Sequence, residues 1–177
     1  MSTLTTLLGS EAVGVWTLVP DKSRFEFKNT TFWGLTNVKG RFTQFSGEGR
    51  ISQDGDANGT IVIKAASVQT GIRPRDNHLR SADFFDAQHH PDIVVTVNGA
   101  DTNDGDEVTV RAEMTIRGNT VALPLRARVA TLDDGAVRVT TTAAVEREQL
   151  GVSGNMAGMM GKTTTVWADA VFRRAAG

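Results

Sequence analysis

The chain has 177 residues, with 19 lysines and arginines against 20 aspartates and glutamates, 40% hydrophobic residues, and neither cysteine nor tyrosine. That length suits one domain with a sizeable core, and the near-neutral charge gives no electrostatic footprint for nucleic acid. The missing cysteines exclude disulfides, thiolate metal sites and thiol catalysis.

With 22 Thr, 19 Val and 6 Ile against 10 Leu, the composition favours pleated, half-buried surfaces over helices. Residues 1–13 read as a poorly ordered N-terminal extension, followed by a barrel domain over residues 14–174. The extension has no early positive charge and no apolar stretch of roughly 7–15 residues, so a cytoplasmic location is expected rather than a secretory signal. No window approaches about 18 consecutive apolar residues, so stable membrane insertion is not expected.

Period-two alternation begins at Phe25 and Phe27, which share a face opposite Arg24, Glu26 and Lys28. Val38, Gly40 and Phe42 then alternate with Lys39 and Arg41. A turn over Gln53–Gly59 leads into an apolar run at Thr60–Ala65, and another run follows at Ile93–Val97. From Val108 to Ile116 the even positions are apolar and the odd ones polar, which marks a half-buried antiparallel strand. Val121, Leu123, Leu125, Ala127 and Val129 repeat the pattern, as do Val137, Val139, Ala143 and Val145. Arg117-Gly118-Asn119 and Asp133-Asp134-Gly135 between these runs are hairpin signals. A closing strand spans Thr163 to Phe172. About eight or nine strands joined in order by short turns predict an all-β, up-and-down barrel or sandwich.

Two stretches break the rhythm. Residues 67–92 carry Gly71, Pro74 and Pro91 around short helices expected near Asn77–Ser81 and Phe84–Gln88. Residues 147–162 carry Gly151, Gly154, Gly158 and Gly161 among Met156, Met159 and Met160. Irregular loops of this length are usually functional or mobile in a compact domain.

No catalytic motif fits. Gly151-Val152-Ser153-Gly154-Asn155 resembles a nucleophile elbow, but its second glycine arrives one residue early and no strand-to-helix context surrounds it. There is no phosphate-binding loop, dinucleotide fingerprint or His-Glu-x-x-His. His78, His89 and His90 cluster in sequence with Asp76, Asp83, Asp86 and Asp92, a donor set that suits a divalent metal. Their spacing favours the plainer reading, in which these side chains cap short helices and tie down a polar loop, so no metal site is assigned. The aromatics allow a filled core. They also allow a lined cavity, because the inward positions are mostly Val, Ala, Met and Thr, which fill little space, and the two irregular stretches offer a lid.

Trp16-Thr17-Leu18-Val19-Pro20-Asp21-Lys22-Ser23-Arg24-Phe25, then Val38-Lys39-Gly40-Arg41-Phe42 and Ser67-Val68-Gln69-Thr70-Gly71, are followed by Arg75-Asp76-Asn77-His78-Leu79 and Asp83-Phe84-Phe85-Asp86. Met114-Thr115-Ile116-Arg117-Gly118-Asn119-Thr120 completes the series. In this order the motifs resemble the YceI-like polyisoprenoid-binding family over about residues 14–173.

The resemblance implies an eight-stranded antiparallel, lipocalin-like barrel with an elongated cavity for a long isoprenoid or similar amphiphile. It also implies non-enzymatic binding, sequestration or carriage of a hydrophobic small molecule. Many members of the family are periplasmic or secreted and dimerise, so a homodimer is a further expectation. No cofactor is expected beyond a bound isoprenoid or quinone-like lipid.

On this reading the tail meets Phe27, Phe42, Met114, Ile116, Leu123, Leu125 and Trp167 along the axis. Leu79, Phe84 and Phe85 stand near the wall, and Met156, Met159 and Met160 near the mouth. Arg75 and His78, with Arg73, Arg80 or Lys162, are candidates for a polar head at the rim. A filled barrel serving as a structural or interaction module, and an enzyme acting on a lipid-like substrate, are the alternatives.

Overall fold

The computed structural model describes residues 4–31, 36–152 and 160–175. A short helix, α1 (Leu4–Leu8), precedes β1 (Gly14–Leu18), a 3-10 turn at Pro20–Lys22 and β2 (Arg24–Thr31). There follow β3 (Thr36–Phe42), β4 (Phe45–Ile51), β5 (Ala57–Lys64) and the two-residue β6 (Val68–Gln69). Helix α2 (Arg73–Arg80) separates these from β7 (Asp92–Thr102), β8 (Glu107–Ile116), β9 (Asn119–Thr131), β10 (Val137–Glu146) and the long β11 (Met160–Arg174).

The strands form one antiparallel sheet that closes on itself. Neighbours run β1, β4, β5, β7, β8, β9, β10, β11, and β11 pairs back onto β1, giving an eight-stranded barrel. β11 closes it with two partners. Its first part lies along β2, from Thr164 opposite Asn29 to Asp169 opposite Arg24. Its last part lies along β1, with Phe172 opposite Leu18 and Arg174 opposite Trp16. β1 with β2, and β3 with β4, therefore behave as two long strands broken at the same level, by the Pro20 turn in one and by Thr43-Gln44 in the other. β6 extends β5 past its own break and pairs with the end of β3.

Turn chemistry sets the registers read from the sequence. The β8–β9 hairpin turns on Arg117 and Gly118, both at positive φ (53° and 74°), the geometry that suits a two-residue link between twisted strands. Alternation then sends Val108, Ala112, Met114 and Ile116 inward from β8, against Ala127, Leu123 and Val121 of β9.

The interior divides into two apolar clusters. One, around Phe25, Phe27, Ile63, Phe84, Met114 and Val145, lies under α2 and the irregular loops. The other, around Trp16, Ile51, Ala100, Val108 and Val137, lies under α1.

The structure departs from the sequence reading at three places. The helix expected near Asn77–Ser81 starts earlier, at Arg73, because Pro74 in its first turn is preorganised for a helical start. The helix expected at Phe84–Gln88 is absent. Residues 81–90 form successive turns instead, with Phe84 N–H donating to Ser81 O at 3.0 Å and Asp86 at φ 47°. The extension expected to be poorly ordered contains α1 and a 3-10 turn at Ser10–Ala12, and Leu4 is buried at 7% exposure.

Candidate ligand cavity

Between the two clusters lies a cavity of about 340 Å³, lined from Leu4, Leu8 and Trp16 at one end to Leu150 and Val152 at the other. Its volume lies at the lower end of the range for small-molecule sites, about 300–1,000 Å³. The hollow has a cause in the sequence. On β4 and β5 the bordering positions include Gly49 and Gly59, and Gly49 faces Trp16 on one side and Gly59 on the other. Bare backbone therefore forms this part of the wall. Ala100 on neighbouring β7, and Ala127 and Ala143 across the barrel on β9 and β10, add only methyl groups.

Nine of the residues expected to meet a tail border this space: Phe27, Phe42, Leu79, Phe84, Phe85, Met114, Ile116, Leu123 and Leu125. Met114 stands opposite Val95 on β7 and Val121 on β9. Phe42 links the wall to the irregular stretch, its ring 5.6 Å from Phe27 and 5.7 Å from Phe85 between centroids.

Trp167 borders the cavity but belongs to the outer face. It lies opposite Thr142 and Glu26 and is 37% exposed, because the inward positions of β11 go to Val166, Ala168, Ala170 and Phe172. It is therefore not an axial contact. Met156 and Met159 lie outside the described residues, as do the side chains of Met160 and Lys162.

Arg75 and His78 do not line the cavity. Arg75 Nε donates to the Thr70 hydroxyl at 2.9 Å and its Nη2 to Thr70 O at 3.1 Å. His78 pairs with Asp83 at 3.0 Å and sets its ring edge-on to Phe84. Arg80 is likewise spent on the loop, donating to Ala66 O, Val68 O and Asn77. Buried Asp76 anchors this loop by accepting from both the amide and the hydroxyl of Thr70. His89 pairs with Asp86 at 2.9 Å. Among the described residues, no three His, Asp or Glu side chains gather as a metal site.

The polar residues at the cavity's upper end escaped the sequence reading. Asn29 donates to the Thr164 hydroxyl at 2.9 Å, and Arg147, 5% exposed, donates to Val152 O at 2.8 Å. Both border the cavity, and burial weakens the Arg147 guanidinium's hold on its proton. Pairing of Thr164 with both Asn29 and Val145 puts these groups at one level of the barrel. The signal available was Arg147 two residues after Val145, at the next position of the inward-facing alternation. The glycines could have been found the same way, from Gly47-Glu48-Gly49 recurring at every second position.

A closed antiparallel barrel with an apolar hollow and a few polar groups at one end is the class of protein that the fold and cavity define. A family model described as "YceI-like domain" matches residues 16–172, and the chain belongs to that family. Protein YceI of Escherichia coli O157:H7 is 31% identical over 98 residues, 54% of this chain and 51% of that protein. The chain's match thus spans about half the length of the curated relatives it resembles.

Two solved structures share the fold. Burkholderia cenocepacia BcnA superposes with a TM-score of 0.79 at 16% identity, covering 87% of this chain and 98% of that one. A polyisoprenoid binding domain from Saccharophagus degradans, implicated in plant cell wall breakdown, gives 0.75 at 20% identity, covering 90% and 98%.

Proposed function

We propose that the protein binds a long-chain isoprenoid or similar amphiphilic lipid inside its barrel and sequesters or carries it without chemical change. The observation that carries this reading is the continuous apolar hollow between the two clusters. Membership in the YceI-like family and the polyisoprenoid-binding character of one structural neighbour support the same class of guest.

Affinity comes from apolar burial, at roughly 0.8 kcal/mol for each methylene removed from water. The polar head lies toward Asn29, Thr164 and Arg147, and the tail runs toward Trp16. A filled barrel used only as a scaffold runs against the hollow.

Purified protein extracted with organic solvent and analysed by mass spectrometry tests this. A lipid recovered at about one per chain is expected. Protein that refolds delipidated and neither retains nor rebinds an isoprenoid alcohol overturns the reading.

A further inference from the structure

We propose that α1 is the floor of the cavity, and that Leu8, with Leu4 beside it, sets the longest tail the barrel accepts. This rests on the reading of the cavity as a lipid site. Helix α1 lies ahead of residues 16–172, the part that the family model matches.

Leucines at positions 4, 7 and 8 fall on one face of a helical turn. All three pack into the cluster around Trp16, and Leu4 and Leu8 border the cavity itself. A five-residue helix does not hold by itself in water, and here it is fastened at both ends. The Leu4 amide donates to Gly55 O in the β4–β5 turn at 3.2 Å. Beyond it, Trp16 Nε1 donates to Ala12 O at 2.8 Å, and the Arg174 guanidinium donates to Glu11 O and Val13 O. The segment is thus strapped across the barrel end rather than draped over it.

The chemistry of the two ends orients the guest. The polar groups bordering the cavity at the opposite end, Asn29, Thr164 and Arg147, suit a head group, whereas the α1 end offers leucine and indole carbon. A tail that reaches Leu4 and Leu8 has no further apolar surface to bury. Each methylene up to that point raises affinity about fourfold, and each one beyond it must displace packed side chains or remain in water.

The test uses the full chain, delipidated, and a homologous series of saturated fatty acids from octanoate to eicosanoate, each displacing the fluorophore anilinonaphthalene sulfonate. The wild type should gain affinity with length up to a break. Leu8→Ala should move the break to longer chains and Leu8→Phe to shorter ones, with the slope below the break unchanged. Leu8→Met replaces the phenylalanine variant if the ring does not fold in.

A break that stays in place in both variants, or a series without a break, overturns the floor while leaving lipid binding intact. No binding of any length to the wild type overturns both readings. Opposite shifts from the two substitutions are an outcome that a merely structural helix would not produce.

Discussion

Phe27 closes its ring onto the place where Gly40 has no side chain. The two residues face each other across β2 and β3, and a Cβ on Gly40 would stand 2.7 Å from the Phe27 ring at Cε1. The glycine is what lets this ring seat on the cavity wall. Gly40→Ala should push the ring off that seat, lowering stability by about 1–3 kcal/mol through overpacking and reducing guest occupancy. Chemical denaturation with and without an isoprenoid alcohol measures both effects.

Met114 lies midway along the tube wall and is itself buried. Met114→Trp should fill the hollow at that level and abolish uptake of a long tail, while the thermal midpoint of the empty protein stays close to wild type. A fall in stability of about 1–3 kcal/mol with binding retained would mean that the extra volume had gone into packed side chains instead.

Asp76 should prove structural. Its carboxylate accepts from the Thr70 amide at 2.9 Å and from the Thr70 hydroxyl, and Arg75 holds the same threonine from the other side. Asp76→Ala leaves those donors without their acceptor, which should cost about 1.5–3 kcal/mol, the range for hydrogen bonds to a charged group. Denaturation should report that loss, and faster hydrogen exchange at Thr70 should locate it. Fatty-acid affinity per folded molecule should change little, because Asp76 does not border the cavity.

The acid limit of stability should involve Asp86. Its hydrogen bond to His89, helped by the positive charge of His89 itself and of Arg117 and His90, holds its pKa below the ordinary value of 3.8, outweighing the opposing effect of burial. The unfolded chain therefore takes up the proton first as pH falls. The stabilising contribution is fully present above 3.8 and is lost as pH drops through the lower folded value. Asp86→Asn tolerates the residue's positive φ but removes the titration. Its thermal midpoint should be lower than wild type near neutrality, and the gap should narrow in acid. A gap independent of pH would show that the charge is not what Asp86 contributes.

Where alternation was clean the sequence was sufficient. β8, β9 and β10 each bury one side and wet the other, so every inward residue named from the pattern between Val108 and Val145 faces the interior. β1 and β4 were harder to read, because the inward positions of β4 include glycines, which carry no hydropathy signal even though they shape the cavity. Trp167 was misplaced because its ring outweighed its parity: Val166 and Ala168 on either side already fix it outward. Arg75 and His78 looked like binding groups because they are polar hydrogen-bond donors beside an apolar motif. Which partner such a side chain finds depends on loop folding, and here the partners are Thr70 and Asp83.

The glycine wall gives the most direct check on why the barrel is hollow. Gly49 faces the cavity from β4, and a Cβ there would meet only backbone within 4 Å, at 3.3 Å from Asn58 O and 3.9 Å from Gly59 Cα. No side chain competes for that space. At Gly59, by contrast, a Cβ would stand 2.9 Å from Glu48 O, a close approach to backbone with little room to yield. Gly49→Val should therefore fold, with stability within about 1 kcal/mol of wild type, since the branched side chain suits a strand and offsets a small local shift. The added methyl groups would stand in the tube beside Trp16, where the tail's last carbons are expected. Short fatty acids should bind as before and long ones should lose affinity, the same direction as Leu8→Phe but from the opposite wall. If Gly49→Val left the chain-length profile unchanged while folding normally, the hollow beside Trp16 would be no part of the binding site.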